Sequence, residues 1–155
     1  MLYLSRKLCD LINYLWFLYY TYIYGQYPFG YLVTLDKSII SYPLIRRTDI
    51  QENYHEQSLE RKRVYINKIR EAVSIDNTYF VKNDYPYNVP WYVKHYILWI
   101  RPGLTMNDEA LALAIRSHIL AEFGSRLKFV FFKNTNKNKS ITEIEHYHVF
   151  IMNTF

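Results

Sequence analysis

Hydrophobic positions recur along this chain with two periods, and the switches between them mark out its elements. Leu4, Leu8, Leu11/Ile12, Leu15, Leu18/Tyr19 and Tyr22/Ile23 fall at helical spacing and predict a buried amphipathic helix at the N-terminus. The stretch from Tyr31 to Ile45 alternates poorly and leaves room for one short strand, and Arg46 to Tyr54 is polar enough to be a surface loop. Leu59, Ile66, Ile69 and Val73 return to the helical period, predicting a second helix over Glu56 to Val73 with a strongly charged outer face. Thr78 to Val81 reads as a strand. The segment Lys82 to Pro90 holds two prolines that confine it to extended or turning backbone, and Val93 to Ile100 is a strand with His95, Ile97 and Trp99 on one face.

The best-marked element is a third helix. Thr105 with Asp108 resembles a capping box, Asn107 is an alternative cap, and Gly124 stands where a helix ends. Leu111, Ala114/Ile115, His118/Ile119 and Phe123 form its apolar stripe, with His118 at the border. Beyond it, Phe129 to Phe132 is a β-prone run, Lys133 to Ser140 a basic turn-rich loop, and Ile144 to Met152 a last strand. Strand, helix, strand, loop and strand in that order predict an α+β fold, an antiparallel sheet with a helix between strands, preceded by N-terminal helices.

Length sets the expectation of one domain over 1–155, with an aromatic, helix-rich part at 1–77 and an α+β part at 78–155. Half the residues are hydrophobic, which excludes a disordered chain. The single cysteine, Cys9, excludes an internal disulfide framework and points to the cytoplasm or nucleus. Residues 11–35 carry no formal charge, but Asn13, a run of tyrosines, Gly25, Pro28 and Gly30 break what a membrane span of about 20 apolar residues requires. A membrane-associated helix or a homo-oligomer through this aromatic surface are the other uses for it. The net charge of +5 suits an anionic ligand, yet Arg46-Arg47, Arg61-Lys62-Arg63 and Lys133/Lys137/Lys139 are scattered, so nucleic acid is a poor partner and the Arg61–Arg63 cluster reads first as a solvated face. The 17 tyrosines, beside many Ile, Asn and Lys, are coded by A/T-rich triplets, as in the genome of a large DNA virus or a protist.

Candidate chemistry concentrates in the last strand. Alternation puts His146, His148 and Phe150 on one face and Tyr147, Val149 and Ile151 on the other, beside the basic loop. Two uses of these imidazoles compete with a purely structural one. They could work on a phosphorylated ligand, or His95, His146 and His148 could form a three-histidine metal centre with Asp84 or Glu145 nearby, although Glu145 points to the opposite face. Asp84, Pro86 and Tyr87 either rim such a pocket or simply make the turn into the His95 strand; Trp99 reads as core.

Several motifs carry a resemblance. Asn83-Asp84-Tyr85-Pro86-Tyr87, His95-Tyr96-Ile97-Leu98-Trp99, Phe132-Lys133-Asn134, Lys139-Ser140 and Glu145-His146-Tyr147-His148-Val149 occur in that order. Over roughly residues 78–153 the chain resembles the fungal N-acetylglucosamine-induced protein family, a domain of unknown function, which implies a link to amino-sugar metabolism and no particular reaction. More distantly it is similar to the histidine-triad nucleotide hydrolases and transferases, with Pro86-Tyr87-Asn88, His95, Asn134 or Asn136, and His146-Tyr147-His148-Val149-Phe150 at the corresponding places. That likeness implies a histidine-triad-like fold and a nucleotide or amino-sugar phosphate as ligand. It makes His148 the nucleophile, with His146, Lys133, Asn134, Lys139 and Ser140 holding phosphate oxygens and His95 and Tyr87 beside them. It departs from the triad at Phe150, where a third histidine would donate to phosphate. The cofactor stays open.

Overall fold

The computed structural model of the protein describes Leu15 and residues 39–40, 44–134 and 139–152. Apart from Leu15, the N-terminal aromatic helix and its expected association surface lie outside the described residues. The elements in chain order are β1 (Ile39–Ile40), α1 (Thr48–His55), α2 (Leu59–Asp76), β2 (Thr78–Lys82), β3 (Val93–Ile100), α3 (Asp108–Phe123), β4 (Lys128–Asn134) and β5 (His146–Met152). The fold is α+β, as the order of periods predicts. Four strands pair antiparallel in the order β4-β5-β3-β2, and the two residues of β1 add a parallel rung beside β4. Among the described residues no helix is long and apolar enough to cross a membrane.

Register sorts the side chains onto two faces. Tyr96, Leu98, Ile100, Phe131, Val149 and Ile151 share one face and pack on Leu111, Ile115 and Ile119 of α3. Those three helical residues are at most 1% exposed, and each contributes roughly 1.5–3 kcal/mol through burial. Asn107 caps α3, accepting from the Ala110 N–H at 2.8 Å, so the alternative cap at Thr105 is not the one used. Gly124 closes the helix at φ 65°, in the left-handed region that a residue with a Cβ avoids.

The opposite face carries Val93, His95, Ile97 and Trp99 of β3, His146, His148 and Phe150 of β5, and Val130 and Phe132 of β4. Two apolar clusters cover it. At one end α2 lays Ile69 and Val73, with Tyr65 and Ile66 beside them, on Ile97, Trp99 and Ile144. At the other, Leu44 and Tyr87 close over Val93, Val130, Phe132 and Phe150. The site lies between these clusters.

Three expectations need correction. Arg46 to Tyr54 is not a loop: Thr48–His55 is a helix with no buried residue, and so has no apolar stripe to betray it. Its start is marked instead by Arg47, whose guanidinium pairs with Asp49 at 2.5 Å. The second helix begins three residues later than expected, because Ser58 accepts from the Arg61 N–H and caps it. The last strand likewise starts at His146, with Ile144 buried in the turn before it.

Candidate functional site

Antiparallel pairing of β5 with β3 sets His146 opposite Trp99, His148 opposite Ile97 and Phe150 opposite His95. Because the side-chain period of a strand is two, all six point to the face that α2 and the 83–92 segment cover. Asn134 at the end of β4 and Asn83 just after β2 join them, and the five polar residues Asn83, His95, Asn134, His146 and His148 are all buried. Buried polar groups must be paired, and the pairing here fixes where the protons are.

The main-chain N–H of Tyr87 donates to His95 Nδ1 at 3.1 Å, so that nitrogen carries a lone pair and the neutral ring bears its proton on Nε2. His95 Nε2 lies 3.0 Å from His148 Nδ1, to which it therefore donates. His148 in turn carries its proton on Nε2, which meets the Asn134 side-chain amide at 3.0 Å. The structure places Asn134 Nδ2 there, also 3.0 Å from the Tyr87 hydroxyl, but an N–H needs an oxygen, so we assign the amide turned over, with Oδ1 facing His148 and accepting from Tyr87. Without that turn, two N–H groups would oppose each other. Burial, and after it Arg46, holds the His95 pKa well below its ordinary value; burial, His95, His146 and then Arg46 do the same for His148. Phe150 finishes this end as packing, stacked on His95 at 4.3 Å between ring centres and on Phe132 at 5.3 Å.

His146 is held differently. Its Nδ1 lies 3.1 Å from the carbonyl oxygen of Ile144, and a carbonyl only accepts, so Nδ1 bears the proton and Nε2 is a lone pair. The ring rests on Trp99 at 4.5 Å and lies 5.6 Å from His148 between centres. Burial lowers its pKa to about 4 against the pull of the Ile144 carbonyl, with Lys139 pushing the same way as burial. Near neutral pH His146 is an uncharged imidazole whose Nε2 bonds to no described residue. Both nitrogens of His148 are engaged.

A cavity of about 430 Å³ opens over these residues, within the range of small-molecule sites. Of the residues predicted from sequence, Tyr87, Asn134, Lys139, Ser140, His146 and His148 line it. His95 does not; it backs His148 from behind. Lys133 also does not, because strand alternation turns it to the other face, where it pairs with Glu145 at 3.2 Å and lies over the Tyr147 ring. Arg46, Arg61, Lys62, Asn83, Tyr54 and Tyr65 line the cavity as well, and sequence periodicity flagged none of them for it. The doublets Arg46-Arg47 and Arg61-Lys62 were the available signal, but a charge run on a helix is the same in sequence whether it meets solvent or a cavity.

Arg46 is the most constrained of the cations. Its guanidinium lies 4.3 Å from the Tyr54 ring centre and 4.9 Å from that of Tyr87, and Nε donates to the Tyr85 carbonyl at 2.9 Å. Among the described residues none of Arg46, Arg61, Lys62 and Lys139 pairs with a carboxylate; the two ion pairs are Arg47–Asp49 and Lys133–Glu145. Burial, and next the neighbouring Lys133, lowers the pKa of Lys139. The wall thus offers four cations, a neutral imidazole lone pair, amides and aromatic faces.

Metal chemistry finds less support in this arrangement. His95 and His148 direct their facing nitrogens at each other, and among the described residues no group of three or more histidine, cysteine, aspartate or glutamate side chains is placed to hold a metal ion.

Comparison with known proteins agrees with part of the resemblance seen in the sequence. The model of a family described as "Protein of unknown function (DUF3605)" matches residues 44–152. The span starts well before the residue 78 expected and takes in Arg46, in the segment before α1, and Arg61 and Lys62 at the start of α2. No curated protein matches the chain. Among solved structures, the crystal structure of a protein called HTC1 is similar at a TM-score of 0.47 and 21% identity, over 70% of this chain and 76% of that one.

Proposed function

We propose that this chain, which belongs to the DUF3605 family of proteins of unknown function, binds a small phosphorylated ligand in the cavity and uses His146 as the group that reacts with it. One observation carries this reading. Among the described residues, four cations without carboxylate partners line the same cavity as a neutral imidazole whose Nε2 bonds to none of those residues. Cations gathered on one cavity wall favour an anion, and phosphate spreads its charge over several acceptor oxygens that Arg46, with its planar donor fork, can grip.

The class of reaction is taken from the resemblance to the histidine-triad enzymes, and the hydrogen bonds support the division of roles. The Nε2 lone pair of His146 forms a bond to phosphorus as the P–O bond to the leaving group breaks, and the leaving oxygen takes a proton from water. The positive charge that develops on the ring is stabilised through Nδ1–H and the Ile144 carbonyl. Water then attacks the phosphorus, releases the phosphate and restores the imidazole. Lys139 and Arg46 balance charge on the oxygens. His148, occupied at both nitrogens, has a positioning role with His95 and Asn134: they form the floor on which Tyr87 and the cavity wall rest.

Thermal melting against orthophosphate, nucleotides and sugar phosphates tests the binding. A ligand at 100 times its Kd adds about 2.7 kcal/mol, or roughly 5–10 °C at this size. The shift is expected to disappear in Arg46→Met. His146→Asn is expected to keep the shift and lose turnover of whichever phosphate ester shifts the melt. Wild-type protein whose melting no phosphorylated compound moves would overturn the proposal.

A further inference from the structure

Asp84 is out of place in this cavity. It lines a space that four cations share, yet it lies within ion-pair distance of none of them among the described residues. A carboxylate in a phosphate site weakens phosphate binding unless it does something else there. Its field is felt inside: Tyr65, which also lines the cavity, has its hydroxyl pKa pushed up to about 12 by burial first and by Asp84 next. The backbone around Asp84 is fixed, because Asn83 Oδ1 accepts from the Tyr85 N–H at 3.0 Å and the Asn83 N–H donates to the His95 carbonyl at 2.9 Å. Its carboxylate is thus an acceptor on a stiff turn, and its oxygens bond to no described residue.

What fits an acceptor set among donors and aromatic faces is a ring that carries hydroxyl groups as well as a phosphate. We infer that Asp84 is a specificity-determining residue that accepts hydrogen bonds from the hydroxyls of a phosphorylated sugar, the Lys139–His146 end taking the phosphate. The inference rests on the phosphate reading of the same cavity and narrows it. The aromatic faces of Tyr54 and Tyr65 suit the C–H faces of a sugar, and 430 Å³ is far more than orthophosphate fills. Free sugar phosphates and the ribose phosphate of a nucleotide share this chemistry.

The test is a crossed comparison by calorimetry of wild type and Asp84→Asn, with ribose 5-phosphate, glucose 6-phosphate and adenosine monophosphate against orthophosphate and phenyl phosphate, which lack hydroxyls on carbon. Removing a negative charge from a cationic cavity strengthens every anion that Asp84 does not contact. For a ligand whose hydroxyls Asp84 accepts, the lost charge-assisted bond outweighs that gain, since such a bond is worth about tenfold or more in affinity. Asp84→Asn is therefore expected to bind orthophosphate and phenyl phosphate more tightly and at least one sugar phosphate about tenfold more weakly. Loss with adenosine monophosphate alone names the ribose of a nucleotide, and loss with the free sugar phosphates names those. If the variant tightens all five probes together, or leaves the sugar phosphates unchanged, Asp84 does not read the ligand although the anion site stands. If none of the five binds wild type, the inference and the phosphate reading fall together. Asp84 is exposed, and melting of the free variant within about 2 °C of wild type would confirm that its fold is intact.

Discussion

Acid should unfold this domain at a pH where most carboxylates are still ionised, and the three buried histidines should be the cause. In the unfolded chain each imidazole titrates near 6.5. In the fold, burial keeps all three neutral to lower pH: His146 to about 4, and His95 and His148 well below their ordinary value. Protonating His95 would require Nδ1, which already accepts from the Tyr87 N–H, and protonating His148 would require Nδ1, which accepts from His95. Between the folded and unfolded pKa values the unfolded state binds more protons, so stability falls as pH falls through 6.5 and is fully present only above it. For His146 alone the loss at pH 5 is about 2 kcal/mol. Each imidazole that stays neutral tilts stability by about 1.4 kcal/mol per pH unit, so three tilt it by about 4. Against a typical total of about 5–15 kcal/mol this is decisive within two units. Half-buried His118 adds in the same direction, weakened by solvent. Glu145, whose carboxyl is lowered by Tyr147 and Lys133 in spite of its burial, contributes only nearer its own range. Urea unfolding at constant ionic strength and pH 7.5, 6.5, 5.5 and 5.0 measures the slope. His146→Asn, with an amide able to donate to Ile144, should remove about a third of it. A wild-type slope below about 1.4 kcal/mol per unit across 6.5 to 5.0 would mean at most one neutral buried imidazole, and the hydrogen-bond assignment would be wrong.

Other outcomes follow from the same geometry. Nitrogen-detected NMR of the imidazoles should find His95 and His148 protonated on Nε2 and His146 on Nδ1; an Nδ1–H on His148 would reverse the Asn134 assignment. Asn134→Ala leaves the His148 N–H and the Tyr87 O–H without their acceptor, and urea unfolding should report a loss of about 2–4 kcal/mol. Lys139→Met should weaken a phosphorylated ligand about tenfold and flatten the salt dependence of its binding, with the melt of the free protein little changed. Identical salt dependence in the two proteins would take Lys139 out of the site.

Local pattern and tertiary contact divided the information in this chain. Strands β3 and β5 and helix α3 were legible because their signals are local: alternation over Val93–Ile100 and His146–Met152, and the caps Asn107 and Gly124. Alternation also put His146 and His148 on one face before any fold was known. Helix α1 was hidden because a helix that buries nothing shows no hydrophobic period.

The site was only half legible, for a physical reason. Sequence gives the residue types and the face each occupies, so Asn134, Lys139, Ser140, Tyr87 and the histidine pair could be nominated. Which histidine keeps a free nitrogen depends on partners far away in the chain. His148 is engaged by His95, 53 residues earlier, whereas among the described residues His146 hydrogen-bonds only to the carbonyl of Ile144, two residues before it. Lys133 and Lys139 look alike in sequence, but the parity of a strand position turns Lys133 out to Glu145. Arg46, Arg61 and Lys62 reach the cavity only because the sheet offers a face that the segment before α1 and the start of α2 must cover. Residue types and strand parity were enough to establish which faces exist and what chemistry they carry. Which cations reach the cavity with no carboxylate partner among the described residues, and which imidazole keeps a nitrogen unbonded among them, follow from contacts between residues distant along the chain.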